Sequence, residues 1–195
     1  MVNAASECES LVVNGMSNHD RSEANANSAL VVNVVPEDFP SEDVLAGVEF
    51  QRKWEKLAYK EGNGKVPVQL FEDFKKNKKS EAFNRIVPIH KGSVAFGNLK
   101  NCLPDFVCET LEEGIEQFGK RIKGFVEPDV ILSGVETRTS SPVRIKRNDD
   151  LEGSIQGVYP CGEGAGYAGG ITSAAMDGLR VYEAIRKKYC PIQMR

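Results

Sequence analysis

The pattern of apolar and polar positions divides the chain into a long polar lead, three helical stretches and several short β-rich runs. Residues 1–29 are rich in Ser, Asn and Ala and read as loop, with a solvated turn at Asn14-Gly15. Leu30–Val35 (LVVNVV) is a β-branched run closed by Pro36 and predicts a buried strand. Pro40–Gly62 predicts a helix, with Ser41 as N-cap, Glu42 and Asp43 in the first turn, and Gly62 as its stop. Val44, Leu45, Val48, Phe50, Trp54, Leu57 and Ala58 supply its apolar faces, Trp54 as a core residue. Lys65–Leu70 (KVPVQL) reads as a short strand whose Gln69 is either a solvated amide or within reach of a ligand. Glu72–Ser80, with four lysines, reads as a solvated loop, and residues 81–103 as irregular chain. Pro104–Lys123 is a second helix, with Val107, Leu111, Ile115, Phe118 and Ile122 on one stripe. Val130–Leu132 suggests a strand, Val143 and Ile145 another, and Val158-Tyr159 a third ending at Pro160. From Ile171 the pattern is helical again, with Ile171, Ala174, Ala175, Gly178, Leu179, Tyr182 and Ile185 on one broad apolar face. Arg186, Lys187 and Lys188 in its last turn suit the helix dipole.

Composition narrows the function classes. A hydrophobic content of 41% and a charged content of 27% are ordinary for a soluble globular chain. The net charge of −3 gives no support for binding nucleic acid or an anionic membrane, and no apolar run is long enough to span a bilayer. Five cysteines without a C-x-x-C, beside two histidines, make a metal site improbable and imply free thiols in a reducing compartment. Cys102 and Cys108 read as inert small hydrophobes, and Cys161 as a thiol without a nearby redox partner.

The chemistry concentrates in Gly157–Lys188. Gly162, Gly164, Gly166, Gly169 and Gly170 fall in a turn that feeds the last helix, a ready place for anionic or electron-rich ligand atoms. Gly164, Gly166 and Gly169 fit G-x-G-x-x-G. A dinucleotide fold opened by that motif needs a second strand beyond its helix. Only 26 residues follow Gly169, so the motif cannot open such a domain but can belong to the closing strand and helix of one. A phosphate module built on the glycine turn alone is disfavoured by the missing P-loop lysine.

The string from Gly157 to Gly178 (GVYPCGEGAGYAGGITSAAMDG) resembles the ending of FAD-dependent dehydrogenases related to the BaiN-like flavoproteins. A second string, Gly134–Ile145 (GVETRTSSPVRI), is similar to another segment of that group, as are Val12–Ser17 (VVNGMS) and Val66–Gln69 (VPVQ). On the residues alone, Glu136–Ser141 is either a polar loop with an internal Glu136–Arg138 pair or the hydrogen-bonding wall of a pocket, with Arg138 as a fixed cation.

The resemblance implies an α/β fold: an incomplete, glutathione-reductase-like FAD domain (1–36 and 126–195) around an inserted α+β region (37–125). It implies an FAD-dependent oxidoreductase, with NAD(P)H as a candidate electron donor and an unassigned small-molecule substrate. Gly162, Glu163, Gly164, Gly166, Gly169, Gly170 and Ile171 would contact the cofactor, Glu163 through the ribityl chain. Asn14, Gly15, Met16, Ser17, Glu136, Arg138, Thr139 and Ser140 would bound the substrate side. No residue stands out as a general acid or base. Plant members of the group are plastid-directed, which implies a plastid for a plant chain and the cytoplasm otherwise. The sequence departs from the group in lacking the N-terminal strand and glycine turn that hold the FAD pyrophosphate. It therefore reads as the C-terminal portion of a longer flavoprotein. The alternative is a non-catalytic fragment acting as an interaction or regulatory module.

Overall fold

The computed structural model of the protein describes residues 2–4 and 6–190. Its contacts form two compact units, Met1–Phe39 with Phe50–Thr137, and Pro40–Glu49 with Arg138–Arg195. The fold is mixed α/β.

The first unit is built on a short strand. β1 (Val2–Asn3) and β2 (Val13–Asn14) pair antiparallel, and α1 (Ala46–Glu61) runs into β3 (Val66–Leu70), the centre of a three-stranded sheet. β4 (Val94–Phe96) pairs parallel to β3, and β5 (Ile131–Ser133) antiparallel on the other side, giving the order β4-β3-β5. All five residues of β3 are buried. Proline is tolerated at this central position for a local reason. Val66 donates to Ser93 and Val68 accepts from Gly97, so both face β4. The missing N–H of Pro67 points the other way, where the β5 pairing has already ended at Val68↔Ser133. Val66, Val68, Phe71, Phe74, Leu99 and Ile115 form the heart of the core, with α2 (Phe71–Lys75) and α3 (Asp105–Arg121) covering it.

Several expectations are corrected here. Leu30–Val35 forms no strand, and Val31, Val34 and Val35 are exposed, because none of the described strands offers it a ladder. α1 starts at Ala46, not Pro40. Asp43 takes the capping role given to Ser41, accepting from the Leu45 amide at 2.8 Å while its carbonyl receives Ala46 N–H at 2.9 Å. Val44 and Leu45 consequently lie outside the helix and are exposed. Gly62 does follow the helix, but steric approach is what requires it: a Cβ there would sit 1.9 Å from the Lys65 carbonyl oxygen. Gln69 is neither solvated nor open to a ligand. It is fully buried, donating to the Lys78 carbonyl at 2.8 Å and accepting from the Leu99 amide at 2.9 Å. The lysine-rich loop hides α2, whose Phe74 is fully buried while its lysines reach Glu72 and Glu116 at the surface. On α3 the predicted stripe is buried at Val107 and Ile115 and exposed at Phe118 and Ile122. Trp54 is half-buried, edge-on to Phe50.

The second unit is mostly irregular chain around α4 (Ile171–Tyr189). Val143, Ile145, Val158 and Tyr159 form no strands. Ile145 N–H bonds to the Ala165 carbonyl across the unit and Val158 N–H to that of Ile155 within a turn, in place of a ladder. α4 begins where the sequence predicts, yet its inward residues are Asp177 and Val181. Ile171, Leu179 and Tyr182 of the predicted apolar face are exposed, Ile171 at 94%. A Cβ built on Gly178 meets nothing within 4 Å. Gly178→Ala is therefore expected to stabilise α4 by up to about 1 kcal/mol, through helix propensity, which a shift of the urea midpoint would register.

Candidate functional site

In the second unit the glycine turn is tied down by a buried ion pair. The Gly162 amide (φ +71°) donates to Asp177 Oδ2 at 2.9 Å, reaching from the turn to the inner face of α4. Arg147 forks onto the same carboxylate at 2.9 and 2.7 Å and donates to the Pro160 carbonyl at 2.9 Å. Both side chains are under a tenth exposed. The Arg147 guanidinium lies 3.6 Å from the centroid of the Tyr167 ring, whose hydroxyl donates to the Ile145 carbonyl at 3.0 Å. Arg147, with the Gly162 amide, holds the Asp177 carboxyl down to about 2. The turn closes on itself where Gly166 N–H donates to Glu163 at 2.9 Å and Tyr167 N–H to Gly162 at 3.0 Å. At Gly166, φ is +82° and an added Cβ would lie 2.6 Å from the Val143 carbonyl oxygen, so no other residue fits.

This scaffold presents an open surface. Glu163, Gly164, Gly169, Gly170 and Ile171 are all exposed, and a Cβ on Gly164 would meet nothing within 4 Å. Gly170 caps α4 in extended conformation, its amide donating to Ser173 Oγ at 3.1 Å. Beside it lies a shallow pocket of about 290 Å³ lined by Ser140, Ser141, Gly166, Tyr167, Ala168 and Gly169. Ser140 and Gly169, each picked out by sequence, thus meet here. Arg138 and Thr139 lie exposed just before Ser140.

Asn14, Gly15, Met16, Ser17 and Glu136 belong to the first unit. There Val13 N–H donates to the Val135 carbonyl at 2.9 Å, which sets Asn14 and Glu136 one residue beyond two bonded neighbours. The junction is braced by Glu55, a fully buried carboxylate that sequence reading missed. It accepts from Thr137 Oγ1 at 2.7 Å and from Ser10 Oγ at 3.2 Å. Its signal was a glutamate between Trp54 and Ala58 on an apolar helix face. Arg147 and Asp177 were missed as well, since neither breaks an apolar pattern.

Among the described residues no group of His, Cys, Asp and Glu could hold a metal ion, and no helix is long and apolar enough to cross a membrane. All five cysteines are free. Burial pushes the Cys102 thiol up to about 12 and that of Cys108 to about 11. Iodoacetamide at pH 7.5 is expected to label the exposed Cys8, Cys161 and Cys190 while Cys102 and Cys108 stay unmodified, as peptide mass mapping would record.

The model of a family described as "FAD-dependent protein, C-terminal domain-like" matches residues 1–139. An uncharacterized protein of Clostridium beijerinckii (strain ATCC 51743 / NCIMB 8052) is 54% identical over 192 residues, 97% of this chain. The chain spans 36% of that relative's length. The glycine turn lies beyond the residues that the family model matches.

Proposed function

The chain belongs to the family of FAD-dependent protein C-terminal domains, and on that premise we propose that it is the flavin-contacting portion of an FAD-dependent oxidoreductase. The observation that carries this reading is the rigidly held turn from Gly162 to Gly170, which presents an exposed carboxylate, bare backbone and an open helix N-terminus on one surface. That donor set fits part of a flavin. Glu163 would accept a hydrogen bond from a ribityl hydroxyl. The first-turn amides of α4 and its dipole would favour negative charge at the pyrimidine edge of the ring. Gly164 and Gly169 would let the ring system lie close. FAD, when bound, supplies hydride or electron transfer; this chain's residues orient it and set its electrostatics.

In this reading Arg138, Thr139 and Ser140, in the second unit, bound the substrate side. Residues 1–36 and 126–195 belong to a glutathione-reductase-like FAD domain of BaiN-like kind, and 37–125 to its insertion. A nicotinamide donor gains no support from the comparisons. The non-catalytic alternative is not favoured, given the family match.

Two variants test the reading by quenching of FAD fluorescence. Glu163→Ala removes a charge-assisted hydrogen bond of about 1.5 kcal/mol and is expected to weaken FAD binding about tenfold. Gly164→Leu adds a side chain where the protein has open space, so it should leave stability unchanged and abolish binding. Unaltered FAD affinity in both variants would overturn the proposal.

A further inference from the structure

We infer that the far end of α3 is a docking knuckle, and that its occupant is a lipid surface bearing anionic headgroups. The inference concerns the first unit alone and does not rest on the flavin reading.

The knuckle begins where α3 outruns its core. The apolar stripe of the helix is buried at Val107 and Ile115, yet further on Phe118 is 46% exposed and Ile122 49%. Past Ile122 the chain turns back on the helix. Phe125 N–H donates to the Ile122 carbonyl at 3.1 Å, and its ring meets that of Phe118 edge-on at 5.5 Å. Val126 comes so close to Gly119 that an added Cβ would lie 2.5 Å from its Cγ2. This return braces the tip from behind. Positions 120–124 are exposed without a break, and a Cβ on Gly124 would meet nothing within 4 Å. The tip protrudes, so it suits a broad surface better than an inserted peptide.

Charge fixes the occupant. Lys120, Arg121 and Lys123 crowd this tip, and none has an acidic partner among the described residues; Lys120 reaches only Gln117, at 3.3 Å. No carboxylate lies from Gln117 to Val126, and Glu116 is taken by Lys75 at 3.2 Å. The net charge of −3 for the whole chain hides this local excess. A nucleic acid would engage the cations and leave Ile122 in water. An apolar protein surface would take Phe118 and Ile122 and have to desolvate the cations. A bilayer interface satisfies both at once. Its acyl boundary accepts the apolar side chains, its headgroups pair with the cations, and the Lys and Arg stems lie along the boundary between. With two apolar side chains and three cations the binding is weak and reversible, no tighter than that of a single acyl chain.

The test is sedimentation of the full chain with lipid vesicles, without FAD. Vesicles of phosphatidylcholine with phosphatidylserine should carry down at least about tenfold more chain than phosphatidylcholine alone. The excess should vanish in about 1 M salt, where the screening length falls to about 3 Å. Each cation near an anionic surface is worth about fivefold in partitioning. The triple variant Lys120→Gln, Arg121→Gln, Lys123→Gln should therefore bind both vesicle types equally, and circular dichroism should show it folded, since all three side chains are exposed. Insertion is read separately with a polarity-sensitive dye on Ile122→Cys. Its emission should shift to the blue with anionic vesicles, while the same dye on Glu113→Cys, exposed earlier on α3, should not respond. Equal sedimentation of the unsubstituted chain with the two vesicle types would overturn the inference. So would binding indifferent to the triple substitution, or an equal dye response at both positions. Tighter binding to duplex DNA or polyglutamate than to anionic vesicles would overturn it as well, since the occupant would then be a polyanion with no apolar phase.

Discussion

Asp177→Ala is expected to destabilise the second unit by about 3 kcal/mol, the low end of the range for breaking a buried ion pair. The substitution leaves Arg147, under a tenth exposed, without the carboxylate that takes both of its terminal nitrogens, and it strips the Gly162 amide of its acceptor. The loss sits at the low end because Arg147 keeps the Pro160 carbonyl and the Tyr167 ring. Its pH dependence has a definite sign. The folded carboxyl is held at about 2, below its ordinary value of 3.8, so the stabilisation it contributes is fully present above about pH 4. It is lost as pH falls through about 2. Urea unfolding at pH 7 should therefore separate wild type from Asp177→Ala by the full amount, and the two curves should converge as the pH approaches 2.

Gly166→Ala is the second large effect. The position combines φ of +82°, where an L side chain is strained, with an approach of 2.6 Å between the new Cβ and the Val143 carbonyl oxygen. Backbone cannot yield as a flexible side chain would, so the 140s segment or the turn must move. A cost of about 2–3 kcal/mol is expected from strain and displacement together. Gly164→Ala, in the same turn, should be near neutral, since its Cβ meets nothing within 4 Å. Thermal unfolding of the two variants side by side separates a structural glycine from a surface glycine within one motif. Gly166→Ala should also weaken FAD binding, by deforming the turn, whereas Gly164→Leu should abolish it by covering the surface of an undistorted turn.

The sequence made the helical periods and the central strand readable because their causes are local. α3 and α4 begin within a residue of the predicted positions, and the buried VPVQL run stands out from its lysine-rich surroundings. Leu30–Val35 shows where local reading stops. β-branched residues predict a strand only if a partner strand exists to bond it, and none among the described strands does. The face of α4 is a related case. Periodicity located its apolar stripe correctly, but the inward face is set by the Arg147–Asp177 pair, whose members are 30 residues apart and leave no periodic trace. Gln69 reads as an exposed amide until Lys78 and Leu99 fold around it. For the candidate site, the glycine turn and Ser140 were legible as strings. The ion pair that holds the turn, and Glu55 that braces the Val13–Val135 junction, depend on contacts only the fold creates.

The most direct test of the flavin reading is the visible absorption spectrum of FAD titrated with the purified chain at pH 7, its folding monitored by circular dichroism. The account predicts a saturable change in the flavin bands at one FAD per chain, lost in Gly164→Leu. A folded chain in whose presence the spectrum stays that of free FAD at every concentration would contradict it.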